Sequence, residues 1–234
     1  MEVVVEALDG ALRLLLGGDG TTYEVLWRSL RISMSAALLA LLLGLPLGFL
    51  LGLGRFPGRR ALYTLINTGM ALPPIVVGLI VTVVLWRSGP LGGFGLLYTP
   101  TAMVIAQAAI AFPVVVALSA AALQQVDAEL ALQMRGLGAG RLRAFYEVAR
   151  EARLPMLAVA MAAFGAAVSE VGAALMVGGN LAGETRVLTT AAVLEASRGR
   201  FAAALAFGLV LLIIALFVNL ALTVLQQRET GQQT

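Results

Sequence analysis

"LQMRGLGAGRLRAFYEVAREARLP", residues 132–155, decides how the chain is read. It carries five arginines and has the pattern of surface helices, yet it lies between two long apolar stretches. A segment this basic belongs outside the bilayer core, so it must join two buried pieces of chain. The composition agrees: of 234 residues, 60% are hydrophobic and 12% charged, with a mean hydropathy of +0.94. Soluble domains are about half apolar and a quarter charged. The chain is therefore read as an all-α integral membrane protein, of a length that suits one helical bundle.

Missing residue types exclude several chemistries. The net charge of +3 comes from arginine alone, because the chain has no lysine and no histidine. A P-loop needs its lysine to reach nucleotide phosphates, so any nucleotide energy has to come from another subunit. Without histidine or cysteine the usual zinc ligand sets are gone. Disulfides and thiol nucleophiles are excluded as well. No basic patch interleaved with aromatics points to nucleic acid. Neither a catalytic nor a metal site is expected.

A spanning helix needs about 20 apolar residues, and five stretches qualify: 26–53, 62–86, 100–123, 155–178 and 201–225. The first ends at "GRFPGRR". The second contains "LPP" at 72–74. Thr99 and Pro100 form a capped start for the third, and Pro155 opens the fourth. Residues 2–16 differ, with Glu2, Glu6, Asp9 and Arg13 on one helical face and Val4, Val5, Leu8 and Leu12 on another. That pattern predicts an amphipathic interfacial helix, with a tilted sixth span as the alternative. The expected organisation is this helix and a linker over 1–20, then one membrane domain over 21–234 with a cytoplasmic loop at about 124–154.

Arginine concentrates near the cytoplasmic ends of spans. Nine arginines (55, 59, 60, 135, 141, 143, 150, 153 and 228) fall on one side and seven on the other. The expectation is a multi-pass protein of the cell membrane with its N-terminus outside and its C-terminus cytoplasmic. The opening stretch then reads as two short cytoplasmic helices around the glycine corner "GLGAG", with Asp127 capping the first and the second over 139–152. Two readings of it stay open on residues alone. It is a solvated loop helix, or it is a docking element anchored by Phe145 and Tyr146 amid Arg143 and Glu147.

The segment "LGAGRLRAFYEVAREARLP" resembles the cytoplasmic loop of binding-protein-dependent ABC importer permeases. Gly138 and Ala139 match its central Gly-Ala, Phe145 and Val148 its apolar positions, and Pro155 the proline opening the next span. The family's Glu-Ala-Ala triplet is absent: Leu132, Gln133 and Met134 stand there. "LPPIVVGLIV" at 72–81 and "SEVGAALMVGGNLAGETRVLTTAAVLEASRG" at 169–199 resemble molybdate-type permeases, and the second resembles the tungstate branch more closely. The resemblance implies a permease importing tungstate, with molybdate or sulfate as the alternative cargo. It also implies a second copy of the chain, a cytoplasmic ATPase dimer holding ATP and magnesium, and an extracytoplasmic oxyanion-binding protein, all in membrane lipid. Residues 139–147 would be the coupling helix, with Gly138 at its turn. A secondary transporter is disfavoured by the odd span count and the lack of an internal repeat.

Several residues stand out as candidates for the path or gate. Glu170 is the one acid inside a predicted span, and such groups are expensive there. Because a carboxylate repels an anion, a structural or gating role is expected, with Ser169 or a neighbouring helix as partner. Pro73 and Pro74 must break the helical ladder in mid-membrane, either lining a path or only kinking the span. Arg186, Thr189 and Thr190 form a basic, hydroxyl-bearing group near the outer mouth, either attracting or handing over an oxyanion, or with the arginine as an interfacial anchor or in a salt bridge to Glu184 or Glu195. Gly44, Gly48 and Gly52 read as a packing seam.

Overall fold

The computed structural model describes residues 2–17, 20–126 and 140–230, and every regular element among them is helical. In chain order they are α1 (Glu2–Leu16), α2 (Gly20–Leu53), α3 (Arg59–Met70), α4 (Pro74–Leu85) and α5 (Pro100–Gln124). Then follow α6 (Arg141–Glu151), α7 (Arg153–Val168), α8 (Gly172–Gly178), α9 (Leu188–Ser197) and α10 (Phe201–Thr230). α2, α5 and α10 are each long and apolar enough to cross a membrane, and the pairs α3/α4 and α7/α8 are bent by 102° and 57°. With each bent pair taken as one broken span, the five expected crossings are present.

The glycine seam sets the architecture. A Cβ added at Gly44 would meet Val115, one at Gly48 would meet Ser119, and one at Gly52 would meet Leu123, all on α5. Each step of four residues on α2 is matched by four on α5, so the two helices run parallel and in close contact. Parallel neighbours in sequence require a return crossing between them, and α3/α4 supplies it. Lipid gives helices no hydrophobic reason to associate, so such small-residue contacts carry the packing. Ala37, Ala40, Ala111, Val115, Val159, Ala163 and Phe164 form the buried cluster where α2, α5 and α7 meet.

Local chemistry explains the helix ends. Thr99 Oγ1 accepts from Ala102 N at 3.3 Å, and Pro100 occupies the first turn of α5 as expected. After α2, the Arg59 guanidinium donates from Nε to Leu51 O at 2.7 Å and from Nη2 to Gly52 O at 3.4 Å. Helix-end carbonyls lack intrahelical partners, and this arginine satisfies two of them. α2 starts at Gly20, six residues before the expected span, and α7 starts at Arg153 rather than at Pro155. Pro155 is tolerated in the first turn because N–H groups there have no helical acceptor.

α1 is helical over the expected residues and packs on α10. Ala7 and Ala11 are buried, and Gly10 faces Ala206, where a Cβ would come within 3.2 Å. Its small residues therefore make the contact, while Val5, Leu8, Leu12 and Leu16 stay exposed. The acidic stripe is exposed too, with Arg13 paired to Asp9 at 2.8 Å.

Gly48→Leu places a side chain against Ser119 and should lower stability by about 1–3 kcal/mol. At Gly208 an added Cβ meets nothing within 4 Å, so Gly208→Ala should be neutral or stabilising by up to about 1 kcal/mol. Thermal unfolding of the detergent-purified chain reads both.

Candidate functional site

The two helix breaks lie side by side. α3 and α4 have 12 residues each, so their junction lies about 18 Å along the helix axis from either end. Pro73 caps α4 with ψ at 130°, an extended conformation that ends the preceding turn, and Pro74 starts the new helix. In the second broken span the backbone leaves the helix at Ser169 to Val171 and resumes at Gly172. α4 and α8 then pack so closely that a Cβ on Gly78 would meet Ala173 Cα at 2.6 Å, and one on Gly172 would meet Ile75 N at 3.5 Å.

One side of this junction is bare. Residues 71–76, including Pro73 and Pro74, are exposed, and so is Ser169. Among the described residues, the carbonyls of Ala71 and Leu72 receive no backbone hydrogen bond. Non-helical backbone at membrane depth persists only where protein covers it or water reaches it.

Glu170, by contrast, is 6% exposed and belongs to the break itself. Its Oε1 accepts from Ala173 N at 2.8 Å, so the carboxylate caps the first turn of α8. Negative charge at a helix N-terminus is favourable. Ser169 is not its partner, since that hydroxyl donates back to Gly165 O at 2.7 Å. The neighbour that does reach it is Thr189, whose Oγ1 donates to Glu170 O at 3.0 Å.

At the end of the bundle where α2 begins, residues 178–190 form a tightly bonded loop. Thr185, fully buried, accepts from Leu181 N at 2.9 Å and donates to Gly178 O at 2.6 Å. Gly179 has φ +68°, and a Cβ there would meet the Tyr98 ring at 2.9 Å, so only glycine fits. Tyr98 and Asn180 themselves sit at φ 63° and 52°, costly for side-chain-bearing residues and sustained here by their bonds. Tyr98 N donates to Val177 O at 2.8 Å. Arg186 donates to Asn180 Oδ1 at 3.2 Å and Asn180 O at 3.3 Å rather than pairing with an acid. Glu195, a partner considered for Arg186, instead takes Arg198 at 3.1 Å and Arg200 at 2.9 Å. Thr190 exchanges bonds with Val187, so neither buried threonine hydroxyl is left facing the mouth.

Two residues passed over in the sequence fasten this loop to α2. Arg28 donates to Gly183 O at 2.6 Å and to Arg186 O at 3.2 Å, and Ser29 Oγ accepts from Leu188 N at 2.8 Å. Their partners are more than 150 residues away, and no local spacing announces such a bond. A third is Gln107 in α5, 2% exposed, whose Oε1 has no partner among the described residues. A lone amide within "IAQAAIAF" was the available signal.

At the end of the bundle where α2 and α5 finish, α6 begins at Arg141, after Gly140 as N-cap. Val148 and Ala152 are buried against Leu123, with Phe49, Val126 and Met156 around them. The opposite face presents Tyr146, 64% exposed, and Arg143, while Glu147 lies 3.9 Å from Arg150. Gly138 and Ala139 lie outside the described residues, and of Phe145 only the helical backbone is described.

Three membrane-length helices, two broken helix pairs with a bare junction and an apolar-rooted helix at one end describe a polytopic helical membrane protein. The sequence family described as "Binding-protein-dependent transport system inner membrane component" matches residues 44–231, and the chain belongs to it. A tungstate uptake system permease protein from Peptoclostridium acidaminophilum is 37% identical over 97% of this chain and 100% of its own length. A probable anion ABC transporter permease from Haloferax volcanii is 42% identical over 82% of this chain and 84% of its own. The molybdenum transport permease of Escherichia coli strain K12 is 33% identical over 70% and 77%. A permease of this family works with an ATPase and a substrate-binding protein.

Glu170→Ala removes the cap and should cost about 1–2 kcal/mol of thermal stability. Glu170→Gln keeps an acceptor oxygen and should retain most of it. Equal losses in the two variants would mean that charge, not the hydrogen bond, holds α8.

Proposed function

We propose that the chain is the membrane subunit of an ATP-driven tungstate importer, working as a pair of identical copies whose broken spans face one another. The exposed junction at 71–76 carries this reading: its unbonded carbonyls need a second copy or water against them. A path bounded by Pro73, Pro74, Ser169 and the α4/α8 contact meets that need. Glu170 stays out of the path as the cap of α8, which suits an anionic cargo that a free carboxylate would repel. Arg186, Thr189 and Thr190 shape the outer mouth as loop-holding residues. The permease then grips the anion weakly and releases it, leaving tight binding to the extracytoplasmic partner. Tungstate is favoured over molybdate or sulfate because the similarity to a tungstate permease runs through nearly the whole chain.

α6 is the coupling helix in this reading. Its root at Val148 and Ala152 is fixed to the bundle, and Tyr146 with Arg143 and Glu147 reaches into a groove of the ATPase, where ATP and magnesium reside. The N-terminus is outside and the C-terminus cytoplasmic, with α1 in the outer interface. Rigid-body motion of the ATPase subunits then carries α6 and the spans attached to it.

The assembled permease, ATPase and binding protein in vesicles should take up tungstate when ATP is supplied, in preference to molybdate and sulfate. Tyr146→Ala should cut uptake and ATPase co-purification at least tenfold while leaving the thermal midpoint unchanged. Molybdate or sulfate preference would overturn the ion, and unaltered uptake in Tyr146→Ala would overturn the docking role. Since the chain has no cysteine, single-cysteine variants test orientation. In intact cells an impermeant maleimide should label Ser88→Cys and spare Arg60→Cys.

A further inference from the structure

Along α2, opposite the seam with α5, runs a second stripe: Trp27, Arg31, Met34, Leu38 and Leu42. Spacings of four, three, four and four put these residues on one helical face. All five are exposed, Trp27 at 65%, Leu38 at 58% and Leu42 at 71%. From Ile32 onward α2 carries no charge, so Arg31 sits where the hydrocarbon begins and Trp27 one turn further out. Tryptophan is enriched at that depth.

A cavity of about 250 Å³ opens at the top of the stripe, lined by Glu24, Trp27, Arg28, Arg31, Ile32 and Pro100. Its arginines differ. Arg28 is committed to Gly183 O and Arg186 O and lies 3.8 Å from Glu24, whose side chain is 65% exposed. Arg31 makes no hydrogen bond or ion pair among the described residues. Two guanidinium groups against one carboxylate leave the cavity net positive. Moreover, α5 packs between α2 and the α3/α4 span, and α7 packs on α2 through Ala37 and Ala40, on its buried side rather than on the exposed stripe.

The geometry points to a binding site for an anionic glycerophospholipid of the outer leaflet. Its phosphate bonds to Arg31 in the cavity, Trp27, one turn further out, packs beside the headgroup, and an acyl chain runs down Met34, Leu38 and Leu42. The order of groups along the helix, aromatic, then cation, then unbroken apolar ridge, matches the order of headgroup, phosphate and tail in a lipid. A free oxyanion would use the arginine but has no use for the ridge.

The test uses the whole chain, reconstituted, with Trp27→Phe, Trp86→Phe and Leu38→Trp, so that the only tryptophan lies on the ridge beside the acyl chain. Quenching by acyl-brominated phosphatidylglycerol is compared with quenching by brominated phosphatidylcholine. The site predicts about a fivefold preference for phosphatidylglycerol, the attraction of roughly one interfacial arginine for an anionic headgroup. Arg31→Gln should bring the ratio close to one with an unchanged thermal midpoint, and Arg31→Lys should restore most of it. Equal quenching by both lipids in the parent would overturn the proposal. So would absence of quenching, which would mean that a second copy covers the stripe. Reversal by millimolar inorganic phosphate or tungstate would instead assign the cavity to a free oxyanion.

Discussion

In hydrocarbon every backbone N–H and C=O needs a partner, and a helix that stops half-way leaves several without one. The chain stops twice, and the two interruptions sit against each other. Each has its own device. At Pro73 and Pro74 the missing donors force the break, and part of the backbone is left uncovered. At Glu170 there is no proline, and a buried carboxylate stands in for the absent carbonyl acceptors, holding Ala173 N. The first break is thus open and the second closed. The asymmetry locates the demand for a partner or water on the α3/α4 side.

The rest of the bundle keeps this junction in place. The close α2–α5 contact forms the rigid wall, and the loop at 178–190 is tied to it by Arg28 and Ser29. Thr189 connects the loop back to Glu170. One network of short polar bonds therefore runs from the N-terminal part of α2, through the loop, to the break at Glu170. Several of its acceptors are backbone carbonyls, so it depends on fold more than on side-chain identity.

Much of this was legible in the residues, for physical reasons that differ by element. Apolar runs of bilayer length fix the spans, and "LPP" announces its own break because proline cannot donate. The glycine repeat at 44, 48 and 52 gave its meaning away as packing, though not its partner. Glu170 was flagged by its cost, yet its role as a cap could not be read, because the break it caps carries no proline or other sequence marker. Arg186 was expected to be free for an anion or paired with an acid, and the structure bonds it to Asn180, a partner whose left-handed backbone no pattern foretells. Arg28 is, in the sequence, only one of the seven arginines on the less basic side. Long-range contacts of this kind depend on topology, which spacing does not encode.

The junction of α6 and α7 has a mechanical consequence. Ala152 ends one helix and precedes the first residue of the other, and its amide bonds back to Val148 O at 3.1 Å, so the two share an elbow with little slack. Beyond it α7 extends 16 residues, a strut of about 24 Å, and ends at Ser169, on the lip of the second break. A tilt of roughly 10° imposed at the elbow would sweep the far end through about 4 Å on that lever arm. That is about three-quarters of a helical turn, so a push at α6 becomes a sideways displacement of the Glu170 break at the far end of the strut.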